Sequence, residues 1–299
     1  MPPSTVERSV AILGPGLLGG SIAKALRRSS PACQLRIWGR RQEAVQSVLD
    51  QGVADFASTD AAAVVQGASL IVFAVPVRYM ADLAKAIAGS VAEAALITDV
   101  GSVKQYVVET LEPIFASGPG AFIGSHPMAG SHETGLAAAR SNLFDGTTCL
   151  LTPTGQTKAG AEERVTAFWA SLGCDPQKIF SLPLAVHDRK VARVSHMPHA
   201  VAFALVRGAL AGDPSAVACS GPGFRDATRI AGGDPDLWTG ILMENRQAVL
   251  DSLDDVSAQL AELVAIIRNN NEEDLRRFLV QARELQQLIP ADPKTHGND

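Results

Sequence analysis

The 299-residue sequence lacks several features that would assign it to a specialised class of protein. No run of about 18 uninterrupted apolar residues occurs, so we expect no transmembrane helix and no membrane partner. The residues up to Ser9 contain no apolar segment before a cleavage site, so we expect no signal peptide and a cytoplasmic location. The net charge of −5 lacks the excess of basic residues typical of nucleic-acid binding, so no nucleic-acid partner is expected.

The sequence is also poor in paired cysteines. Its four cysteines, at positions 33, 149, 174 and 219, are widely scattered and form no Cys-x-x-Cys pair. We therefore expect neither a disulfide framework nor a structural zinc site, and interpret these residues as buried thiols. The remaining composition, 46% hydrophobic and 19% charged, is that of an ordinary globular protein, and the length suggests about two domains.

The first part of the chain alternates short apolar runs with helical patterns. The apolar runs at 10–13, 35–38, 69–74 and 95–99 predict strands, and further strands are predicted at 122–124, 147–151 and 178–182. Strands that alternate with helices are typical of a parallel sheet covered on both faces. The sequence therefore predicts an α/β fold, with a Rossmann-like doubly wound sheet over residues 1–182.

From residue 183 to residue 299 the strand signals stop and helical periodicity predominates. Long helices are predicted at 185–210 and 242–268, and a further amphipathic stripe runs from Leu275 to Leu288. These stripes can pack within the chain or against a second copy. We expect an all-helical second domain that forms a homodimer.

A glycine loop follows the first predicted strand and opens a helix. Gly14, Gly16 and Gly19 have the spacing G-x-G-x-x-G, which in this context indicates dinucleotide binding. Gly14 permits the turn, Gly16 admits a pyrophosphate, and Gly19 allows close helix–strand packing. The backbone N–H groups at Leu17 and Leu18 would face the phosphates. The alternative is a glycine-rich turn without a ligand.

The end of the second strand indicates which nicotinamide cofactor is used. An acidic residue at this place holds the adenosine 2′-hydroxyl, whereas basic residues accommodate a 2′-phosphate. Here the strand ends Trp38-Gly39-Arg40-Arg41, with no acidic residue. We therefore predict that NADP is favoured over NAD. The alternative is that the two arginines are solvated at a helix start.

Five ordered motifs carry a family resemblance. They are Thr98–Lys104, Gly124–Gly130, His187-Asp188, Ser195–His199 and Gly223–Ala231. With them, the chain from about Val10 to about Asn245 resembles the prephenate/arogenate dehydrogenases of tyrosine biosynthesis. The resemblance implies a Rossmann-like domain, a helical dimerisation domain and oxidative decarboxylation of a cyclohexadienol. With no mutase-like helical segment before residue 10 and no regulatory domain near residue 299, we expect the monofunctional form.

The resemblance implies a small-molecule substrate that carries a ring hydroxyl at C4 and a carboxylate at C1. Our candidate for the base that takes the hydroxyl proton is His126, because neutral imidazole accepts a proton near pH 7 and the residue follows a predicted strand. Ser102 matches a family serine near the same hydroxyl. Its alternative role is that of a helix N-cap, and the two roles are compatible.

Arg229 is the candidate that clamps a substrate carboxylate, because guanidinium binds carboxylate through a bidentate fork. Asp226 would share its helical face and orient Arg229 or His196; the alternative is a purely internal ion pair. The resemblance makes His196 a substrate-side residue and leaves His199 structural. No third ligand accompanies these two histidines, so we expect no metal site. His187-Asp188 is expected to pack at the start of the helical domain without a chemical role.

The sequence departs from the family pattern after the His-Pro loop, the motif Gly124–Gly130 that contains His126 and Pro127. Many members have an acidic residue two places after the loop glycine, whereas His132 stands two places after Gly130 in this chain. A histidine that reads the substrate side chain favours the keto acid, so we prefer prephenate over arogenate. The alternative is that the loop shifts by one residue and presents Glu133.

Two other functions remain open at the level of the sequence. A hydroxyacid dehydrogenase can have the same two-domain plan, but it usually relies on a helical-domain lysine. This chain has only Lys190 early in that domain and no Lys-x-x-Asn pattern. A non-enzymatic nucleotide-sensing module is the more remote alternative, and reduction of the cofactor on adding prephenate would exclude it.

Overall fold

A computed structural model describes residues 7–116, 118, 120–130 and 133–289, so the candidate His132 lies outside the described residues. The chain divides into two compact units, with the division between Val249 and Leu250. The unit that contains the sheets continues past residue 182, and the predicted domain boundary there stays a prediction.

The first unit is built on a six-stranded sheet in which every pairing is parallel. Its strands are β1 (Ser9–Leu13), β2 (Gln34–Trp38), β3 (Phe56–Ser58), β4 (Leu70–Phe73), β5 (Leu96–Asp99) and β6 (Ala121–Phe122). The helices among them are α1 (Leu17–Ser29), α2 (Gln42–Asp50), α3 (Ala61–Val65), α4 (Met80–Ile87) and α5 (Lys104–Ala116). The predicted Rossmann-like doubly wound fold is confirmed.

The strand order β3-β2-β1-β4-β5-β6 places the change of winding direction between β1 and β4. Ligands of open α/β sheets bind at such a point, beyond the carboxyl ends of the strands. The central strands β1, β4 and β5 are fully buried, because helices cover both faces. Strand β3 was not predicted from the sequence, because it is only three residues long and half-buried.

The later predicted strands form a separate three-stranded sheet instead of extending the parallel one. Its order is β7 (Gly124–Pro127), β8 (Cys149–Thr152) and β9 (Ile179–Ser181), with β7 antiparallel to β8 and β8 parallel to β9. The backbone N–H of Ile123 still donates to the carbonyl of Ile97 in β5. At Gly124 the chain moves close to β8: a Cβ there would lie 2.5 Å from Thr152 Oγ1.

Between β8 and β9 lies α6 (Ala161–Ser171), and after Ser181 the described residues contain only helices and turns. The helices that begin in the first unit are α7 (Leu184–Val191), α8 (Met197–Leu210), α9 (Pro222–Thr228), α10 (Pro235–Glu244) and α11 (Arg246–Arg268). The helix predicted over 185–210 is interrupted by a π-helical turn, Ala192–His196, just before Pro198. Proline lacks an N–H for the helical ladder, and π turns are frequent at functional sites.

The second unit contains the rest of α11 and α12 (Glu272–Gln286). The side chain of Asn271 caps α12, and three acidic residues occupy its first turn, where they suit the helix dipole. Large apolar side chains on these helices and just after α12 are exposed in the single chain: Leu260, Val264, Ile267, Leu279, Leu285 and Leu288. Within the described ranges, no helix is both long and apolar enough to span a bilayer.

Candidate active site

In the glycine loop between β1 and α1, two glycines have no room for a side chain and the third faces open space. Gly14 has φ +121°, and a Cβ there would lie 2.5 Å from the Ala74 carbonyl oxygen. A Cβ at Gly19 would lie 1.9 Å from the Gly14 oxygen, so both positions require glycine for the packing of the protein itself. At Gly16, by contrast, a Cβ would meet nothing within 4 Å. The open space above Gly16 leaves room for a ligand to approach the backbone.

The start of α1 fits the same ligand. Gly16 is the N-cap and provides no side-chain cap, and the first turn, which begins with Leu17 and Leu18, contains no acidic residue. The first N–H groups of a helix carry partial positive charge and bind phosphate well. The loop residues predicted from the sequence therefore form a chemically suitable dinucleotide site.

The two predicted arginines follow β2 next to this loop. The Gly14 N–H donates to the Trp38 carbonyl over 3.0 Å, which joins the glycine loop to the end of β2. The guanidinium of Arg40 lies 5.6 Å from the ring centroid of Tyr79, a cation–π contact. Arg41 is the N-cap residue of α2, and its side chain makes no capping bond. Both arginines are exposed at the carboxyl edge of the sheet.

A buried chain of three side chains ends at the predicted base. His126 Nδ1 lies 3.0 Å from His187 Nε2, and His187 Nδ1 lies 2.7 Å from Asp188 Oδ1. The Asp188 carboxylate also accepts hydrogen bonds from the backbone N–H groups of Lys104, over 2.8 Å, and Gln105, over 3.0 Å. His187 is fully buried and His126 is 7% exposed. This hydrogen-bonded series of side chains joins β7, which carries His126, to α7 and the start of α5.

The direction of the hydrogen bonds follows from Asp188. Two backbone donors and His187 Nδ1–H bond to this carboxylate, and together they lower its pKa although burial alone would raise it. Because His187 Nδ1 carries a proton that it donates to Asp188, the Nε2 of neutral His187 must be an acceptor. His126 Nδ1 is then the donor between the two rings. The lone pair of His126 Nε2 is left free to accept a hydrogen bond.

The environment keeps these imidazoles neutral. Burial, followed by the nearby His187, Lys104 and His196, holds the pKa of His126 well below its ordinary value. Burial also lowers the pKa of His187, although the bond to Asp188 opposes this change. A neutral His126 is the form that accepts a proton, so the site is suited to general-base chemistry.

His196, in the π-helical turn, has a buried nitrogen that no described residue contacts through a hydrogen bond. The Asn245 side-chain N–H₂ donates to the Asp188 carbonyl over 2.9 Å, which fixes the amide orientation, and Nδ2 also lies 3.1 Å from His196 Nδ1. His196 Nδ1 is therefore an acceptor and Nε2 carries the proton. That Nε2 atom is buried and has no hydrogen-bond partner among the residues that the structure describes. Burial lowers the pKa of His196 to about 4, so the ring offers an unused neutral N–H donor.

The other two candidate substrate-binding residues, Arg229 and Asp226, are exposed. Arg229 opens a short 3₁₀ turn after α9 and is exposed, and its charge lowers the pKa of His199 after the effect of burial. The His199 ring stacks on Trp238 with centroids 3.7 Å apart. Asp226 is exposed, and none of the ion pairs in the described part of the chain joins it to Arg229. The structure therefore does not join these two residues as an internal ion pair.

Ser102 is half-buried in the turn before α5. The first two N–H groups of α5 donate to Asp188, so a carboxylate from α7 caps this helix. From the sequence, His187 and Asp188 were expected to pack without a chemical role, and the Asn245 side chain was not predicted to take part. The adjacent His-Asp pair was the available signal, since a carboxylate next to a histidine can fix its tautomer.

Comparison with known proteins agrees with this geometry. The model of the prephenate dehydrogenase nucleotide-binding domain matches residues 22–176, and that of the prephenate dehydrogenase dimerization domain matches residues 184–281. Prephenate dehydrogenase of Bacillus subtilis (strain 168) is 31% identical over 293 residues, which are 97% of this chain and 78% of that protein.

The chain belongs to the prephenate dehydrogenase family. Among solved structures, prephenate dehydrogenase from A. aeolicus in complex with hydroxyphenyl propionate and NAD+ superimposes with a TM-score of 0.85 at 31% identity, covering 96% of this chain and 100% of that one. Synechocystis arogenate dehydrogenase gives a TM-score of 0.78 at 29% identity, covering 93% and 99%. The family resemblance and the assignment as a nucleotide-binding oxidoreductase are confirmed.

Proposed function

We propose that this chain catalyses the oxidative decarboxylation of prephenate to 4-hydroxyphenylpyruvate in tyrosine biosynthesis, with arogenate as the alternative substrate. The observation that carries the proposal is the hydrogen-bonded series from Asp188 through His187 to His126. It leaves a neutral imidazole with a free Nε2 lone pair, next to Ser125, whose hydroxyl bonds Asp99 at the carboxyl end of β5. Membership of the prephenate dehydrogenase family supports the choice of reaction.

The protein positions the substrate and moves one proton during the reaction. His126 Nε2 accepts the proton of the C4 hydroxyl while the C4–H bond breaks. A bound nicotinamide cofactor would supply the acceptor for the hydride that leaves C4. The bond from C1 to its carboxylate then breaks, and its electron pair makes the ring aromatic as carbon dioxide departs. His126 returns its proton to the phenolate oxygen, so the products are the phenol, carbon dioxide and the reduced cofactor.

Other residues are proposed to bind and orient the substrate. The unused N–H of His196 supplies a buried donor, and Arg229 supplies a charged donor for a carboxylate. Ser102 is proposed to bond the C4 hydroxyl beside His126, and Asp226 to orient Arg229 or His196 in the complex. His132 is proposed to favour prephenate, because a histidine lacks the negative charge that an amino-acid side chain would pair with.

We further propose that NADP is favoured over NAD. Two exposed guanidiniums, Arg40 and Arg41, follow the end of β2 beside the glycine loop, where the 2′-phosphate of NADP would lie. The stacking of Arg40 on Tyr79 holds one of them at this edge. R40A/R41A should raise the KM for NADP by about tenfold or more, the size expected for lost charged hydrogen bonds, and leave that for NAD nearly unchanged.

The assembly proposed is a homodimer through the helical domain, in the cytoplasm. The exposed apolar side chains of the second unit support a partner surface, as does the match to a dimerization domain. All four cysteines are free thiols, as is usual for proteins of a reducing compartment; Cys33, Cys149 and Cys174 are buried as predicted, whereas Cys219 is exposed and that prediction was wrong. Sedimentation of the purified protein as a monomer would contradict the dimer.

The test is a spectrophotometric assay that crosses prephenate and arogenate with NADP and NAD. We expect the highest kcat/KM with prephenate and NADP. H126N should lower kcat by on the order of 100-fold or more, because it removes the base, while the Kd for prephenate changes little. Failure to reduce either cofactor with either substrate would refute the reaction. A kcat/KM with NAD that equals or exceeds that with NADP would refute only the cofactor preference.

A further inference from the structure

Lys104, the first residue of α5, is a fully buried lysine that the proposed reaction does not use. Its ammonium group pairs with the Asp99 carboxylate, which is also fully buried, and donates to the Ser125 carbonyl oxygen over 2.8 Å. Ser125 is the residue immediately before His126. A buried ion pair therefore holds the peptide bond that leads into the proposed base.

The rest of Ser125 is fixed by the same pair and its surroundings. The Ser125 N–H donates to Asp99 Oδ1 over 3.2 Å, and the Ser125 hydroxyl lies 2.6 Å from the Asp99 carbonyl oxygen. Trp169 Nε1–H donates to the same hydroxyl over 3.0 Å. Every polar group of Ser125 thus has a partner. The backbone entering His126 has little freedom to move away from His187.

The first turn of α5 also holds the opposite end of the chain of side chains. The backbone N–H of Lys104 donates to Asp188 Oδ1, and that of Gln105 donates to Oδ2. The ammonium of Lys104 therefore acts at the His126 end while its main chain acts at the Asp188 end. A displacement of this turn would therefore move His126 and Asp188, the two ends of the hydrogen-bonded series, together.

We propose that Lys104 is a positioning residue for His126: its ammonium, paired with Asp99, holds Ser125 so that the His126 ring meets His187 in one orientation. This inference rests on the proposed function, in which His126 is the base. The ion pair is not needed for burial alone, because well-packed apolar residues often replace such pairs without loss of stability. What apolar side chains cannot supply is a directed donor to the Ser125 carbonyl.

The charge of Lys104 has a second, measurable consequence. The charged or titratable groups that act on His126 are His187 on α7, Lys104 on α5 and His196 in the π-helical turn, and all three lower its pKa after the effect of burial. The carboxylates of Asp99 and Asp188 are engaged by Lys104 and His187. Removal of the Lys104 charge should therefore raise the pKa of His126 and move the acidic limb of kcat/KM to higher pH.

The test uses K104M and the double replacement D99N/K104M in the full chain. The single variant leaves the Asp99 carboxylate buried without its cation, whereas the double variant removes both charges. We expect kcat to fall on the order of 100-fold, the size reported for small misplacements of reacting groups, with little change in the KM for prephenate or cofactor. In the H126N background the same replacements should change kcat by less than about twofold, because coupled residues are non-additive.

R164M is the matched control, since Arg164 also makes an ion pair, with Glu7 over 2.8 Å, and donates to the Ser69 and Ala94 carbonyls. It should lower Tm without changing kcat or the pH profile. The proposal is overturned if a folded variant at Lys104 keeps wild-type kcat, or if the loss persists in H126N. Failure of both variants to fold would also overturn it, because the pair would then serve stability.

An NMR measurement separates this inference from the proposed function. If the wild type oxidises neither prephenate nor arogenate, the function fails, but ¹⁵N chemical shifts of the imidazole still report which His126 nitrogen carries the proton. We expect a single Nδ1–H tautomer in the wild type and a mixture of tautomers in D99N/K104M. An unchanged single tautomer in the folded double variant would overturn the inference whatever the enzyme assay shows.

Discussion

His187 accepts a hydrogen bond from His126, with 3.0 Å between His187 Nε2 and His126 Nδ1. The relationship joins a residue of the small sheet to a residue of α7, and it determines which nitrogen of His126 is left free. A histidine at position 126 without this partner would exchange between two tautomers. Only one of them presents a lone pair at Nε2.

Two replacements of His187 should therefore differ in their effect. H187Q keeps an oxygen near the position of Nε2, whereas H187N keeps a polar group only near Nδ1, facing Asp188. We expect H187N to lower kcat by about 10- to 100-fold through misorientation of His126, and H187Q to lower it less. Steady-state kinetics of both variants checks this. Equal kcat values for H187N and the wild type would show that the bond has no part in catalysis.

The pH dependence of the reaction should reflect the lowered pKa of His126. The base is active when neutral, so kcat/KM falls as pH drops through its pKa in the free enzyme. Because burial and the neighbouring His187 hold that pKa well below 6.5, we expect full activity at pH 6.5 and an acidic limb below it. An acidic limb centred above pH 6.5 would contradict the assignment.

Acid unfolding must be measured alongside that profile. The folded-state pKa values of His126, His187 and His196 are lowered, so the unfolded chain binds their protons first as pH falls. Stability is therefore full above about pH 6.5, the ordinary value in the unfolded chain, and is lost progressively below it. Circular dichroism at each pH will separate loss of fold from protonation of the base.

The sequence predicted the parallel sheet because its strands are buried on both faces and so are continuous apolar runs, such as Leu70–Phe73. It did not predict β3 or the separation of the small sheet. Strand β3 has three half-buried residues, and the antiparallel pairing of His126 with Leu150 depends on how the chain turns at Gly124. That turn is a tertiary feature with no periodic signal.

The site was predictable where a local motif carries the chemistry, as in the glycine loop and in the His126-Pro127 motif at the end of β7. The contacts that orient His126 were not, because they join residues distant in sequence. His187 is 61 positions from His126, and Asn245 is 49 positions from His196. The helix break at Asn245, which releases its side chain towards Asp188, lies within a segment whose apolar periodicity indicated one continuous helix.

Alanine at two glycines of the loop should separate cofactor binding from folding. At Gly16 a methyl group meets nothing within 4 Å in the protein, so G16A should keep Tm and raise the KM for the cofactor by about tenfold through contact with the pyrophosphate. At Gly19 a methyl group would lie 1.9 Å from the Gly14 oxygen, so G19A should lower Tm. Thermal melts and cofactor titrations measure the two effects.

Gly212 provides the control for this pair, because a Cβ there also meets nothing within 4 Å and the residue follows α8, away from the loop. G212A should leave both Tm and the KM for the cofactor near wild type. If G16A binds the cofactor as tightly as G212A does, the open space above Gly16 is not the pyrophosphate site.

Arg229 should affect binding of the substrate more than the chemical step. Its guanidinium is exposed, so R229A should leave Tm unchanged and remove a charged hydrogen bond to a carboxylate. The expected result is a KM for prephenate raised about 10- to 100-fold, with kcat much less affected, because the interaction is the same in the ground state and the transition state. R225A, four residues earlier and also exposed, is the matched control and should be near wild type. A fall in kcat at unchanged KM in R229A would instead assign the guanidinium to the stabilisation of charge that develops during decarboxylation.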